Sequence, residues 1–401
     1  MQERQTSRRA VIRAAGMAIA ATAAGVPMAT MAQGATPAAQ PASGGLAAML
    51  AMAPASFPWV DEPAQVMIGY ADIATQLAVT GIAPVDSMDD PGFSAWMSAT
   101  RSLAMPVNVA QYLKFWREDY GFDLFQADET LELILPPFNL TLFRGRFDQD
   151  AIRATLTGNG YTPVEVNGHE ILTLRDDYAQ DISAPFAYKL AAMNHVALMD
   201  DGAVACSSVR GALEAAFDVA DGLAPSLMEQ AGIGMMVNQA PADLVSGTIV
   251  SGTNLSGNIP PELIDLEPGA TPDFDAIATR VAAESEMPPV VLVLLGSTAG
   301  GPLFGDDIET PAGVPDAHAV AVLLMLNPEG AAAAVPVIEE RLATGESMQT
   351  REPWSDFFPE STVAAVDGAP VVVVDLTLGP ERLPVVLTQM LMNRDLGFLA
   401  W

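Results

Sequence analysis

The sequence predicts an α+β protein in which helices lie on one face of antiparallel or mixed sheets. Half of its 401 residues are hydrophobic and 17% are charged, which is enough apolar material for a large buried core. Strand-like runs alternate with helix-like runs that end at glycine. Asn-Gly and Asp-Gly dipeptides join several of the strand-like runs, as in tight hairpins. Together these patterns are typical of helices packed on an antiparallel sheet.

The first 32 residues have the composition of a cleavable export signal. They contain the segment SRRAVIR, in which Arg8 and Arg9 form a basic pair. A mildly apolar, alanine- and glycine-rich segment follows, and it is too short and too interrupted for a membrane-spanning helix. The small residues around Met31 are typical of a signal peptidase site, which predicts cleavage between Ala32 and Gln33.

The arginine pair and the weakly apolar segment after it resemble the twin-arginine family of export signals. That family usually carries Phe and Leu in the part of the motif where this chain has Ala10, Val11 and Ile12. The resemblance implies two partners, the twin-arginine export machinery and a signal peptidase. It also implies that the mature chain is secreted or extracytoplasmic, in the periplasm or the cell envelope.

The single cysteine, Cys206, excludes an intramolecular disulfide and a lipid anchor at the cleavage site. It also excludes thiolate metal clusters, and its strand-like surroundings predict a buried side chain. The longest apolar segment after the leader is 317–338, which is interrupted by Asn327 and Pro328. It is typical of a buried strand, a turn and a helix, so we expect no transmembrane anchor after cleavage.

The formal net charge is −31, and the leader removes more basic than acidic residues, so the mature chain is strongly acidic. Such a surface repels nucleic-acid phosphates and anionic lipid head groups. We therefore expect no nucleic-acid partner. The charge leaves a cationic partner open, and it also serves solubility.

The leader (1–32) precedes a flexible linker of small residues, proline and glutamine at 33–45. The pattern of 46–136 predicts a mainly helical segment, with helices over 64–80 and about 106–119.

Residues 137–235 are predicted to form a first α+β module. The order is a strand at 140–148, a helix, a hairpin that turns at Asn167-Gly168, a hairpin that turns at Asp201-Gly202, and a helix that ends at glycine.

Residues 236–316 connect this module to a second one at 317–401. The second module has a similar order of elements. It consists of a buried strand, a helix that begins near Pro328, a hairpin that turns at Asp367-Gly368 and a closing helix. The two modules match in element order but not in residue identity, so duplication is one interpretation. Each is similar to a ferredoxin-like βαββ arrangement, a likeness that concerns the fold alone.

No catalytic, cofactor-binding or metal-binding residue is predicted for the mature chain. The three histidines, His169, His195 and His318, lack metal-ligand spacing and are expected to be polar residues at strand ends. The glycine-rich segment 296–305 follows an apolar strand but lacks the Lys-Ser/Thr pair and the GxGxxG spacing of phosphate loops, so we expect a surface loop.

The leading functional hypothesis is therefore an exported, non-enzymatic protein of the cell envelope that binds an unknown ligand or partner, or that is structural. The alternative is an exported hydrolase that uses Asp and Glu alone, for which the surplus of carboxylates is the only support. Two facing carboxyl groups with raised pKa values would favour the hydrolase.

Overall fold

The computed structural model describes residues 45–57, 67–106, 113–135, 138–180, 191–255, 286–303, 310–379 and 382–400. The predicted export signal, with Arg8, Arg9, Ala32 and Gln33, lies outside the described residues, as does the linker before residue 45. Among the helices that are described, none has the length and apolarity needed to cross a bilayer.

Twelve strands of the described chain form one sheet in which all neighbouring strands are antiparallel. Across the sheet their order is β4-β5-β6-β7-β3-β2-β1-β8-β9-β10-β12-β11. The strands are β1 (Met67–Asp72), β2 (Ala127–Leu135), β3 (Phe138–Gly145), β4 (Thr162–Val166), β5 (His169–Thr173), β6 (His195–Leu198), β7 (Val204–Ser207), β8 (Leu244–Ser251), β9 (Val290–Thr298), β10 (His318–Met325), β11 (Glu360–Ala365) and β12 (Val371–Thr377).

Helices cover the sheet, and short 3-10 turns lie at Leu227–Glu229 and Gly252–Asn254. The described helices are α1 (Leu46–Ala51), α2 (Ile73–Thr80), α3 (Phe93–Thr100), α4 (Leu113–Tyr120), α5 (Gln149–Gly158), α6 (Arg210–Ala220), α7 (Ala231–Val237), α8 (Pro328–Thr344), α9 (Trp354–Phe357) and α10 (Val386–Met392).

The helices lie on both faces of the sheet, so the expectation that they lie on one face is wrong. On β10, Val320 and Val322 belong to one apolar cluster, whereas Ala321 and Leu323 belong to another. Because alternate side chains of a strand point to opposite faces, β10 is buried on both sides. Its nearly unbroken apolar run was the sign of this double burial in the sequence.

We name the two faces by the helices that cover them. The α6 face carries one continuous cluster under α1, α6 and α7. The α8 face carries two clusters, one under α2, α3, α4 and α5 and the other under α8, α9 and α10. The α8 face is therefore divided where the α6 face is continuous.

The three predicted hairpins are confirmed. The β4–β5 turn has Asn167 and Gly168 at φ 51° and 87°, the left-handed conformation that this dipeptide tolerates. The β6–β7 hairpin turns at Asp201-Gly202, and the β11–β12 hairpin turns at Asp367-Gly368. The strand, turn and helix predicted for 317–338 are confirmed as β10 and α8.

The helix predicted over 64–80 is wrong in its first part, because Met67–Asp72 form β1. The helix starts only at Ile73, where the Asp72 carboxylate accepts a hydrogen bond from the backbone N–H of Thr75 and caps α2. The predicted helix at 106–119 is described from Leu113 as α4. The segment 46–136 thus also supplies β1 and β2 to the sheet.

The two halves of the chain have a similar order of elements and a similar placement of strands in the sheet. In the second half β10 leads through α8 to the β11–β12 hairpin, and β12 lies between β10 and β11. In the first half β3 leads through α5 to two hairpins, and β7 lies between β3 and β6. The halves meet at the centre of the sheet, where β1 pairs with β8 and Tyr70 lies opposite Gly247.

Candidate functional site

A row of polar side chains crosses the α8 face at the centre of the sheet. Thr141, Glu132 and Thr248 lie in register on β3, β2 and β8, with Gly69 of β1 between the last two. In the next row of paired residues on the same face, Thr130 of β2 and Ser246 of β8 lie on either side of Ala71 of β1. We call this set of five buried polar residues the polar seam: Thr130, Glu132, Thr141, Ser246 and Thr248. It lies where the two apolar clusters of the α8 face are divided.

Glu132 carries the only carboxyl group of the polar seam. Its side chain is 7% exposed. Burial raises its pKa from 4.5 to about 7, and the hydrogen bond from the Asn139 side chain opposes the shift. No ion pair joins Glu132 to a basic side chain within the described part of the chain. At neutral pH the Glu132 carboxyl group is therefore ionised in a substantial fraction of the molecules. The described residues supply no cationic partner for it.

The hydroxyl groups of the polar seam are only partly engaged. Ser246 Oγ accepts the backbone N–H of Ala104 at 2.9 Å, and Thr141 Oγ1 lies 3.4 Å from Asn139 Nδ2. Thr248 Oγ1 lies 3.5 Å from Thr388 Oγ1 on α10. Thr130 Oγ1 is buried and has no hydrogen-bond partner among the described atoms. A buried polar atom without a partner is uncommon in proteins and calls for an explanation.

Gly69 leaves room beside Glu132. A Cβ atom built at this position would come within 4 Å of one described atom, the carbonyl oxygen of Ala104, at 3.4 Å. Since Gly69 lies between Glu132 and Thr248 in the register, no side chain separates these two residues on the α8 face. The polar seam thus combines a carboxyl group, hydroxyl groups and a position without a side chain.

A second buried carboxyl group lies on the opposite face. Glu129 Oε1 accepts the backbone N–H of Gly45 at 2.6 Å and the hydroxyl of Tyr70 at 3.1 Å. Its Oε2 accepts Arg144 Nη1 at 3.0 Å. Burial raises the pKa of Glu129 although these donors oppose the shift. Glu129 is thus an anchor that holds Gly45, the residue that precedes α1, on the sheet.

Glu129 and Glu132 cannot act as a facing acid–base pair. They are three positions apart on one strand, so their side chains point to opposite faces of the sheet. Hydrolysis by two carboxyl groups needs both of them beside the same bond. The arrangement that would favour a carboxylate-dependent hydrolase is therefore not formed by this pair.

Each histidine lies at the start of a strand, as predicted, and each is next to its own aspartate. The distances are 2.9 Å for His169–Asp221, 2.9 Å for His195–Asp177 and 2.7 Å for His318–Asp375. Among the described residues, no three His, Cys, Asp or Glu side chains group as metal ligands would. Cys206 is buried in β7, as predicted.

His195 comes closest to a catalytic arrangement. Its Nδ1 lies 3.1 Å from Thr173 Oγ1, and its Nε2 lies 2.9 Å from Asp177 Oδ1. The Asp177 oxygen is not in line with a ring N–H bond, however, so Nε2 makes no well-formed hydrogen bond among the described atoms. Asp177 also accepts the first backbone N–H of α6, from Arg210. These contacts are those of a helix cap beside a cross-strand pair rather than of an activated hydroxyl.

In the glycine-rich segment 296–305, the described residues 296–303 do not form the surface loop that we expected, and residues 304 and 305 lie outside the described chain. Residues 296–298 belong to β9, and Gly300 is buried in a reciprocal contact with Gln76. Gln76 Nε2 donates to Gly300 O at 3.0 Å, and Gly300 N–H donates to Gln76 Oε1 at 3.1 Å. Gly301 N–H donates to Pro315 O. Because these backbone groups already have partners, they do not form a phosphate cradle.

Glu132 was not predicted from the sequence to be a site residue. It alternates with Leu131 and Leu133 in β2, where a strand with one solvent-exposed face carries a polar residue, so the pattern gave no sign that Glu132 is buried. The chain matches no protein-family model, no curated protein and no solved structure. The functional inference therefore depends on the geometry of the polar seam.

Proposed function

We propose that this chain is an exported, extracytoplasmic protein that binds a small ligand at the polar seam and does not catalyse a reaction. The observation that carries the proposal is Glu132, a buried carboxyl group without a cationic partner among the described residues. The unpartnered hydroxyl of Thr130 on the same face supports it. A ligand in the polar seam would give Glu132 a cationic partner and Thr130 a hydrogen-bond partner, neither of which the described residues supply.

The energetic cost of Glu132 is the reason to assign it a role. Raising a carboxyl pKa from 4.5 to about 7 lowers the stability of the folded state by about 3 kcal/mol at neutral pH. Polar groups that reduce stability in a folded core are concentrated at functional sites, where a bound group compensates for them. An apolar side chain would otherwise serve the core better at this position.

An exported carboxylate-dependent hydrolase is the second candidate, and the geometry supports it less well. Its acid and base would have to come from Glu132 and another group on the α8 face. The Glu129 side chain points to the opposite face. His195, at the start of β6, also points to the α6 face, and its Nε2 makes no well-formed hydrogen bond to Asp177.

The binding proposal is tested by thermal unfolding of the mature chain in the presence of a panel of amines, sugars, amino acids, metal salts and lipids. We expect at least one class to raise the melting temperature of the wild type and of the Glu165→Gln control, but not of Glu132→Gln. Glu165 is an exposed glutamate on β4, so this control removes a carboxyl group outside the polar seam. Stabilisation that is equal in Glu132→Gln, or no stabilisation at all, would overturn the proposal.

The export part of the proposal is supported by the leader and by its similarity to twin-arginine signals. We expect replacement of Arg8 and Arg9 by lysine to retain most of the chain, uncleaved, inside the cytoplasm, because the paired arginines are the signal's recognition element. Cell fractionation with N-terminal sequencing of the exported chain measures this. Unchanged export would reject the twin-arginine route, and a first residue other than Gln33 would reject the cleavage site.

We also propose that the two α+β units are related ferredoxin-like βαββ modules that arose by duplication. The matching positions of β7 between β3 and β6, and of β12 between β10 and β11, support this. The first unit would then contain the β4–β5 hairpin as an insertion. In this interpretation the polar seam lies where the two halves of the sheet meet.

A further inference from the structure

We propose that the ligand of the polar seam carries a protonated primary amine, whose ammonium group binds between Glu132 and the neighbouring threonine hydroxyls. The inference rests on the proposed binding function and names its ligand class.

Among the described residues that border the polar seam, Glu132 is the only titratable side chain on the α8 face. On the α8 face, the described neighbours on β1, β3 and β8 are apolar, amide or hydroxyl side chains. The helices α2 and α10, which border the polar seam, contain no Asp, Glu, His, Lys or Arg. The segment 101–106 contributes one charged residue, Arg101, and its side chain is exposed. The described residues thus supply no charge that balances Glu132, which is the role that we assign to the ligand.

The polar atoms of the polar seam include several that can accept hydrogen bonds. The carboxylate offers two oxygens, and Thr130, Thr141 and Thr248 offer hydroxyl oxygens on the same face. An ammonium group has three N–H donors and no acceptor, so it matches such a set. The Thr130 hydroxyl, which has no hydrogen-bond partner among the described atoms, can accept one of these N–H groups.

Other ligand classes fit less well. An anion would place like charge beside Glu132. A divalent metal usually takes several carboxylates, and the described residues contain no such group around Glu132. A neutral polyol would satisfy the hydroxyl groups but leave the carboxylate charge buried and unbalanced. The net charge of −31 also favours the approach of cations at long range.

A bound ammonium and a proton compete for Glu132, which sets the pH dependence. Since burial raises the pKa of Glu132 to about 7, the ionised fraction falls about fivefold from pH 7 to pH 6. It falls about tenfold more from pH 6 to pH 5, whereas it rises less than about twofold from pH 7 to pH 8. We expect the affinity for the amine to follow these changes.

The test compares three probes, ethylammonium, tetramethylammonium and ethanol. Their binding is measured by titration calorimetry or ligand-observed NMR. They separate a cation with N–H donors from a cation without them and from a neutral molecule of similar size. We expect ethylammonium to bind at least about tenfold more tightly than the other two. We expect Glu132→Gln to lose that preference and Glu165→Gln to retain it.

The outcomes separate this inference from the proposed function. Ethylammonium affinity that does not change between pH 5 and pH 8, or that equals the affinity for ethanol, would overturn the ammonium assignment. If the wider panel then yields a neutral or anionic ligand whose binding depends on Glu132, the binding function stands and only the ligand class fails. If no compound in the panel depends on Glu132, both fail.

Discussion

Replacing Glu132 by glutamine is expected to raise the free energy of unfolding by about 3 kcal/mol at pH 7. In the folded state burial raises the pKa of this carboxyl from 4.5 to about 7, so the unfolded chain ionises first as the pH rises. The wild type therefore loses stability between about pH 4.5 and pH 7 and changes little from this group above that range. Glutamine keeps the size of the side chain and removes the ionisation.

Urea unfolding at pH 4, 5.5, 7 and 8 measures this difference. Wild type and Glu132→Gln should be nearly equal at pH 4 and should diverge up to pH 7. The exposed control Glu165→Gln should stay within about 0.5 kcal/mol of the wild type throughout. A loss of stability in Glu132→Gln at pH 7 would contradict the expectation, because it would show that the carboxylate is stabilised in the folded chain.

Replacing Glu129 by alanine is expected to lower the free energy of unfolding by about 4 kcal/mol. The substitution removes the acceptor of three hydrogen bonds, from Gly45, Tyr70 and Arg144. The Tyr70 hydroxyl is then left in the core without that acceptor, which adds a desolvation penalty to the lost contacts. Opposite effects of the two glutamates, three positions apart on one strand, follow from their different partners.

Two further measurements distinguish this anchor from a simple loss of volume. Tyr70→Phe removes one of the three donors and keeps the ring, so we expect a loss of about 1 kcal/mol. Amide hydrogen exchange in α1 should accelerate in Glu129→Ala, since Glu129 holds Gly45 at the start of that helix. If Glu129→Ala costs no more than Tyr70→Phe, the hydrogen-bonded anchor is not the source of the stability.

The parts of the fold that were predictable from sequence are those with local signals. The turn at Asn167-Gly168 requires positive φ at both residues, and this dipeptide accepts it at low cost. The start of α8 carries an Asn327 cap and Pro328 in the first turn. Such signals depend on a few adjacent residues, so they can be recognised without the rest of the chain.

The missed features depend on contacts between distant segments. The β1 sequence MIGYAD has apolar residues on both faces, and its continuation into α2 extends a pattern that also fits a helix. Strands such as β10 are buried on both sides because helices cover both faces of the sheet. The apolar run of β10 was a sign of this burial, but the sequence does not show which helices cover which face. Glu132 became a candidate only when the register placed it between Thr141 and Gly69.

The pairing of β1 with β8 has a consequence for the order of folding. These central strands come from distant parts of the chain, so their ladder closes only after β8 has been synthesised. Such long-range pairing slows folding, because a large loop must be closed before the contact is gained. If the chain is exported already folded, as the proposed twin-arginine route implies, this slow closure must be complete before export begins. The pairing of the central strands, rather than the leader, would then limit how soon each molecule is ready for export.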